Sequence, residues 1–333
     1  MPHRKKIIMI ISTVVLALVI VVFICHFFSS KRNQNQIYGA SFNAEYATYL
    51  ELDPLTVFTS MMDDLGFKFL RISAQWEEIE KTPGVYDFSF LNKLMDEAAK
   101  RGVKITLVVG QKIPRWPECH APKWTVSLSD NEYRAAIKRF IITTVDQYRD
   151  HPALEIWQVE NEPLLKFGEC RFFEKDMLAS EIDIVRQSDP DHKIMITDSG
   201  ELSSWRDTAK AGDLFGTTLY RVVWHKRWGY FSYDWISPLF YRAKLWLTGQ
   251  SKENAFISEL QAEPWIPDHD VKLLALDEQY KSMSLARFEK NVVYSQRVGF
   301  PRAYLWGAEW WYWIKQAKGV SGFFDFAKTL KKE

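Results

Sequence analysis

Two short apolar runs each close on a glutamate: Leu154-Glu155-Ile156-Trp157-Gln158-Val159-Glu160-Asn161-Glu162-Pro163 and Asn254-Ala255-Phe256-Ile257-Ser258-Glu259-Leu260. A carboxylate at the tip of a buried strand is held rigidly, yet it faces the rim where a ligand can sit. Two such groups can face one bond, one donating and later recovering a proton while the other attacks or stabilises positive charge. The plainer alternative is that each glutamate caps the next helix or forms a surface ion pair. The order of the surrounding elements weighs against it.

Strand-like and helix-like patterns alternate along nearly the whole chain. Ile37 to Phe42 reads as a first strand, and Asp53-Pro54 supplies an N-cap and first-turn proline for a helix over Leu55 to Leu65. Phe67 to Ser73 is the second strand; Leu91, Leu94, Met95 and Ala98 recur at helical spacing before Val103 to Val109, the third. Ser129-Asp130-Asn131-Glu132 is a capping-box pattern that opens a helix bearing Ile137, Phe140, Ile141, Val145 and Tyr148 on one face. Leu154 to Glu160 is the fourth strand, and a helix over about Phe172 to Gln187 leads to Lys193 to Thr197, the fifth. A short helix near Ser203 to Lys210 precedes Leu214 to Leu219, the sixth. Ala255 to Ser258 makes the seventh, Glu278 to Val298 a long helix, Arg302 to Trp306 the eighth, and Phe323 to Leu330 a terminal segment. Such repetition predicts an α/β fold, a single closed (β/α)8 TIM barrel over residues 37–333. An open doubly wound sheet is disfavoured because no Gly-rich phosphate loop follows the first strand.

From Ile37 to the C-terminus the chain resembles the retaining glycoside hydrolases of clan A, which include the cellulase-like family 5 enzymes. The resemblance rests on Asn161-Glu162-Pro163 after strand four, Glu259 ending strand seven, Arg71 in Leu70-Arg71-Ile72-Ser73, Tyr220 after strand six and Trp306 ending strand eight. It implies that Glu162 is the acid/base, Glu259 the nucleophile, and Arg71, Asn161, Tyr220 and Trp306 substrate-binding or supporting groups. Two positions depart from the family 5 form: Val109-Gly110-Gln111 and Thr218-Leu219-Tyr220 stand where histidines are common.

Cleaving a glycosidic bond needs a proton for the leaving oxygen and stabilisation of charge developing on the sugar, and two carboxyls do both. Glu162 has to begin protonated, which burial or a neighbouring carboxylate favours, whereas Glu259 has to stay ionised, which a cation and a donor such as Arg71 and Tyr220 favour. Asn161 is suited to the sugar 2-hydroxyl. Trp306, Trp310, Trp311 and Trp313 crowd the end of strand eight. Most indoles pack in cores, and Trp306 alone matches the family's sugar platform. Glu309 could bind a hydroxyl or pair with Lys315. The aromatic and basic segment 221–254 could wall the cleft, lie at a bilayer interface or simply pack as a helix.

Ahead of the barrel, a basic N-terminus (residues 1–6) precedes an uncharged run, Ile7 to Phe28, that would span about 33 Å as a helix. It reads as an uncleaved transmembrane signal anchor, with a polar linker over 29–36, the N-terminus inside and the catalytic domain extracytoplasmic. Set apart from the basic N-terminal segment, the domain is mildly acidic, which argues against nucleic acid. Cys119 and Cys170 fall in the loops after strands three and four and could form a disulfide or remain thiols. His120 lacks paired ligand spacing, and neither a metal nor a cofactor is expected. The resulting expectation is a membrane-anchored retaining β-glycosidase acting by double displacement on a β-linked oligo- or polysaccharide. A transglycosylase using the same glutamates and a catalytically silent sugar-binding barrel are the alternatives.

Overall fold

The computed structural model describes Thr13, residues 32–267 and residues 270–331. Eight parallel strands close into a barrel: β1 (Ile37–Ser41), β2 (Phe69–Ser73), β3 (Lys104–Val109), β4 (Leu154–Val159), β5 (Lys193–Asp198), β6 (Leu214–Leu219), and, after a separate hairpin of β7 (Val222–His225) and β8 (Gly229–Ser232), β9 (Ala255–Gln261) and β10 (Arg302–Trp306). β9 and β10 are thus the seventh and eighth staves, and β1 closes against β10 with Ile37 opposite Arg302 and Ala40 opposite Leu305. Near-continuous apolar runs suit these strands because both faces are covered, by helices outside and by packed side chains inside.

The expected caps form. Asp53 accepts from the Thr56 amide at 2.8 Å, and Ser129 and Glu132 make the reciprocal capping box that starts the helix Asp130–Tyr148. Two expected helices differ. Over 203–210 the chain only turns, because Trp205 takes a left-handed backbone (φ 67°) that buries its indole and lets Nε1 donate to the Ser199 carbonyl at 2.8 Å. The long helix divides into Leu276–Tyr280 and Leu285–Val298, with Ser284 capping the second at the Arg287 amide. Segment 221–254 folds as the hairpin followed by a helix, Pro238–Thr248, whose Tyr241 hydroxyl accepts from the buried Arg221, itself stacked 4.0 Å from the Tyr294 ring.

The expectation of a single-pass membrane protein with its N-terminus inside and an extracytoplasmic domain is corrected here. No helix among the described residues is long and apolar enough to cross a membrane. The longest, Asp130–Tyr148, carries Asp130, Glu132, Arg134, Lys138, Arg139 and Asp146 and buries only one face against the barrel. The apolar run 7–28 lies outside the described residues but for Thr13. Of the expected linker, Asn33 and Gln36 are fastened to the barrel: the Asn33 amide donates to the Gln296 carbonyl at 2.8 Å, and Gln36 Nε2 to Phe300 at 2.9 Å.

Most of the core lies between barrel and helices; a smaller cluster of Ile156, Met195, Leu214, Phe256 and Tyr304 plugs the barrel interior. Arg302 caps this plug, stacked 3.8 Å from Phe69 and paired with Glu155 at 2.7 Å. The plug leaves the opposite, C-terminal rim as the place for a site. Truncating Ile156→Ala removes buried methylenes from a floor that cannot collapse, so it is expected to cost about 2–4 kcal/mol. The denaturant midpoint at unchanged slope checks this.

Candidate active site

Arg71, Asn161, Glu162, Tyr220, Glu259 and Trp306 all lie at C-terminal strand ends, and the barrel brings them to one rim. Arg71, 1% exposed, links four strands. Its Nη1 donates to Glu259 Oε1 at 2.9 Å and to the Ser258 carbonyl at 3.3 Å, its Nε to Gln158 Oε1 at 2.7 Å, and its Nη2 to Asn161 Oδ1 at 2.8 Å. Tyr220 donates its hydroxyl to the other Glu259 oxygen at 2.8 Å. Burial and then the Glu259 charge push the Tyr220 phenol well up, so it remains a donor.

A bulge aims Glu259. On both sides of β9 the register slips between Ile257 and the following pairs, so that Thr217 faces Ile257 while the next residue, Thr218, faces Glu259. Ser258 is the extra residue, and such a bulge re-aims the side chain that follows it. Thr218 in turn donates to Glu162 Oε1 at 3.0 Å, so the partner of one carboxyl is the cross-strand neighbour of the other. The Glu162 amide donates to Thr197 Oγ1 at 2.9 Å, and its carbonyl accepts from Lys112 Nζ at 2.9 Å. Burial first, and the Glu259 charge second, raise the Glu162 carboxyl well above its ordinary range.

The backbone turns sharply here: Glu160 and Glu162 both have left-handed backbones, φ 58° and 45°. Glu160 accepts from the Gln111 and Lys112 amides at 2.8 and 2.6 Å. Gly110 is required at this point, since a Cβ there would lie 2.3 Å from Glu160 Oε1. Behind Glu160 sits Glu181, also buried and in hydrogen-bonding contact with it, so one proton serves both carboxyls. Glu160, Glu181, Lys112, Gln158 and Thr197 escaped the sequence reading. Glu160 stood in the quoted motif two residues before Glu162, and its interior position was the available signal.

Trp306 lines the same cleft as Tyr220, Tyr46, Trp116, Phe167 and Trp265, a cavity of about 320 Å³. One indole face is already taken: the Arg115 guanidinium lies 4.6 Å from it and 3.5 Å from the Tyr46 ring, and pairs with Glu263 at 3.0 Å. Glu309 points inward to the Asn43 amide and not to Lys315, which stacks on Phe324. Cys119 and Cys170 are joined, with Cα atoms 5.1 Å apart. Glu45, Glu77 and His120 cluster, yet both His120 nitrogens are engaged, Nδ1 with Glu77 at 2.7 Å and Nε2 with the Arg115 carbonyl at 3.1 Å. Burial lowers His120, but Glu77 and the carbonyl outweigh it and leave it raised. The ring therefore clamps the loop after β3.

Residues 56–174 match the family model described as "Glyco_hydro_42: Beta-galactosidase". A β-galactosidase from Arthrobacter sp is 28% identical over 152 residues, covering 38% of this chain and 21% of that protein. The chain resembles the glycoside hydrolases. It spans about a fifth of the length of the curated relatives it matches. Among solved structures, GH5_18 from Streptomyces cattleya in complex with GlcNAc aligns with TM-score 0.56 at 13% identity, covering 83% of this chain and 71% of that one. An endo-1,4-β-D-mannanase from Thermotoga petrophila RKU-1 aligns with TM-score 0.51 at 15% identity, covering 81% and 88%. These structures share the barrel.

The raised Glu181 carboxyl makes stability pH-dependent in a definite direction. A carboxyl whose folded pKa exceeds its ordinary 4.5 binds more proton in the native state, so stability falls as pH rises from there towards the folded value. Glu181→Gln, which keeps a donor for Glu160, is expected to flatten this decline by up to about 1.4 kcal/mol per pH unit. Denaturant titrations of both proteins from pH 5 to 8 measure the difference.

Proposed function

We propose that this protein is a retaining β-glycosidase, with Glu259 as nucleophile and Glu162 as acid/base. The observation that carries the reading is the opposite environment of two buried glutamates on one rim. Glu259 accepts from a guanidinium at 2.9 Å and a phenol at 2.8 Å, while burial and then the neighbouring Glu259 charge raise Glu162 towards its protonated form. One carboxyl clamped by two donors beside another raised towards protonation is an arrangement suited to a nucleophile and an acid/base. The β-galactosidase family match and the curated β-galactosidases support a glycoside substrate.

In this mechanism Glu162 protonates the leaving oxygen as Glu259 attacks the anomeric carbon, forming a glycosyl-enzyme. Glu162, now ionised, then takes a proton from water, which attacks the same carbon and frees Glu259. Arg71 and Tyr220 hold Glu259 on its reacting line, and Thr218 orients the Glu162 oxygen. Asn161, fixed by Arg71 at 2.8 Å, presents its amide to the sugar 2-hydroxyl. Passing the sugar to another sugar needs only a different acceptor in the second step, and product analysis separates transfer from hydrolysis. The substrate is a β-linked sugar, and Arg115 over one face of Trp306 leaves that face closed to it.

Aryl β-galactosides, β-glucosides, β-mannosides and β-xylosides, followed by the matching polysaccharides, test the reading. Glu259→Ala is expected to lower kcat by at least about 10³-fold, and azide is expected to restore turnover as the inverted glycosyl azide. Loss of rescue, or release of the inverted sugar by the native protein, would sink the retaining assignment. Sugar binding by calorimetry without turnover would favour the silent barrel.

Tyr220→Phe keeps the ring and removes the donor to Glu259. A drop in kcat of about 10- to 100-fold with little change in KM is expected from the loss of one charge-assisted hydrogen bond. Steady-state kinetics on the best aryl glycoside check it.

A further inference from the structure

Glu118 has no part in the mechanism above, yet several devices fix it at the cleft. Its backbone is left-handed at φ 72°, its amide donates to the Arg115 carbonyl at 2.8 Å and its carbonyl accepts from the Ile113 amide at 2.8 Å. The next residue, Cys119, is bonded to Cys170 of the loop after β4. That second loop passes so close that a Cβ on Gly168 would lie 2.5 Å from the Glu118 Cβ. The side chain lines the same cleft as Tyr220 and Trp306 and is 8% exposed. Its Oε2 accepts from Asn161 Nδ2 at 3.4 Å, a long bond that leaves most of the carboxylate's acceptor capacity unused. Burial pushes the carboxyl up to about 7, with Lys112 opposing, so near neutral pH a donor from a ligand shifts it towards the charged form.

We propose that Glu118 reads a hydrogen-bond-donating group on the sugar carbon next to the reacting one, a hydroxyl or an ammonium, and so selects the glycone. The inference rests on the glycosidase reading, because that reading places the 2-substituent beside Asn161, and Asn161 touches Glu118. An ionised carboxyl only accepts, so a 2-hydroxyl or a free 2-ammonium satisfies it. A 2-deoxy sugar offers it nothing, and a 2-acetamido group brings bulk to a loop that the disulfide holds in place. Glu118 is a specificity-determining residue on the strength of a direct substrate contact, distinct from Glu162 and Glu259, which carry the bond-making steps.

The test is a cycle between enzyme and substrate with the full chain. Native protein and Glu118→Gln are compared on the neutral aryl β-glycoside that turns over best, its 2-amino-2-deoxy analogue and its 2-deoxy analogue. Glu118→Asp serves as a second variant should the first not fold. The variant is expected to lose about 10- to 100-fold in kcat/KM on the 2-hydroxy sugar, and less than about threefold on the 2-deoxy sugar. A larger loss on the 2-amino sugar assigns the site to a cation; a larger loss on the hydroxyl assigns it to neutral sugars. Equal losses on all three, as a general effect through Glu259 or through folding would give, overturn the proposal, as does no loss. If the native protein turns over none of the glycosides, the glycosidase reading fails. The same cycle is then read calorimetrically with the free sugar and its 2-deoxy form, and equal affinities overturn the proposal there too.

Discussion

The buried contact between Arg71 and Glu259 is the constraint on which the rim depends. A guanidinium 1% exposed cannot be left unpaired, and from β2 its donors are shared among Glu259, Gln158, Asn161, Ser41 and the Ser258 carbonyl, on β1, β4 and β9 and the turn after β4. Desolvating such a pair is expensive, and replacing it with apolar residues of equal volume often costs nothing. Its presence is therefore better explained by the position it imposes on Glu259 than by stability. Because the same cation holds Asn161, Glu259 and Asn161 move as one body.

Around that fixed contact, the other carboxyls take their states from position. Glu162 and Glu118 are both pushed towards protonation by burial, and each also feels Glu259. Glu160 escapes full isolation because two backbone amides point at it, and Glu181 behind it holds the shared proton. Lys112 runs through this group, donating to the carbonyls of Glu162 and Leu165 at 2.9 and 3.1 Å. One buried lysine thus balances several acids and pins the turn that carries Glu162.

What could be read from the chain follows the reach of local rules. Eight strand positions, the capping box at Ser129 and the glutamates of β4 and β9 were legible because alternation, capping and strand ends are local. The bulge at Ser258 was not, since Ala255-Phe256-Ile257-Ser258-Glu259 reads as an ordinary buried strand and only pairing reveals the extra residue. Arg115 on the Trp306 face was not legible either, because the contact joins residues far apart in sequence through a left-handed turn. The missing helix at 203–210 failed for a related reason: a buried indole at Trp205 outweighed local propensity.

The strain is unevenly distributed over the rim. Arg115, Glu118, Glu160 and Glu162, at φ 96°, 72°, 58° and 45°, all lie in the loops after β3 and β4. A left-handed backbone costs a non-glycine residue about 1–2 kcal/mol, so these loops hold a conformation that they would not keep alone. What keeps it is local and overdetermined: Gly110 and Gly168 give room, the Cys119–Cys170 bond joins the two loops, His120 grips the Arg115 carbonyl and Lys112 grips those of Glu162 and Leu165. The Glu259 side needs no such strain, because a bulge and an ion pair inside regular sheet already aim its carboxyl. The Glu162 side therefore carries the cost of placing three carboxyls within one wall, and the covalent link between its loops holds that wall as much as the fold.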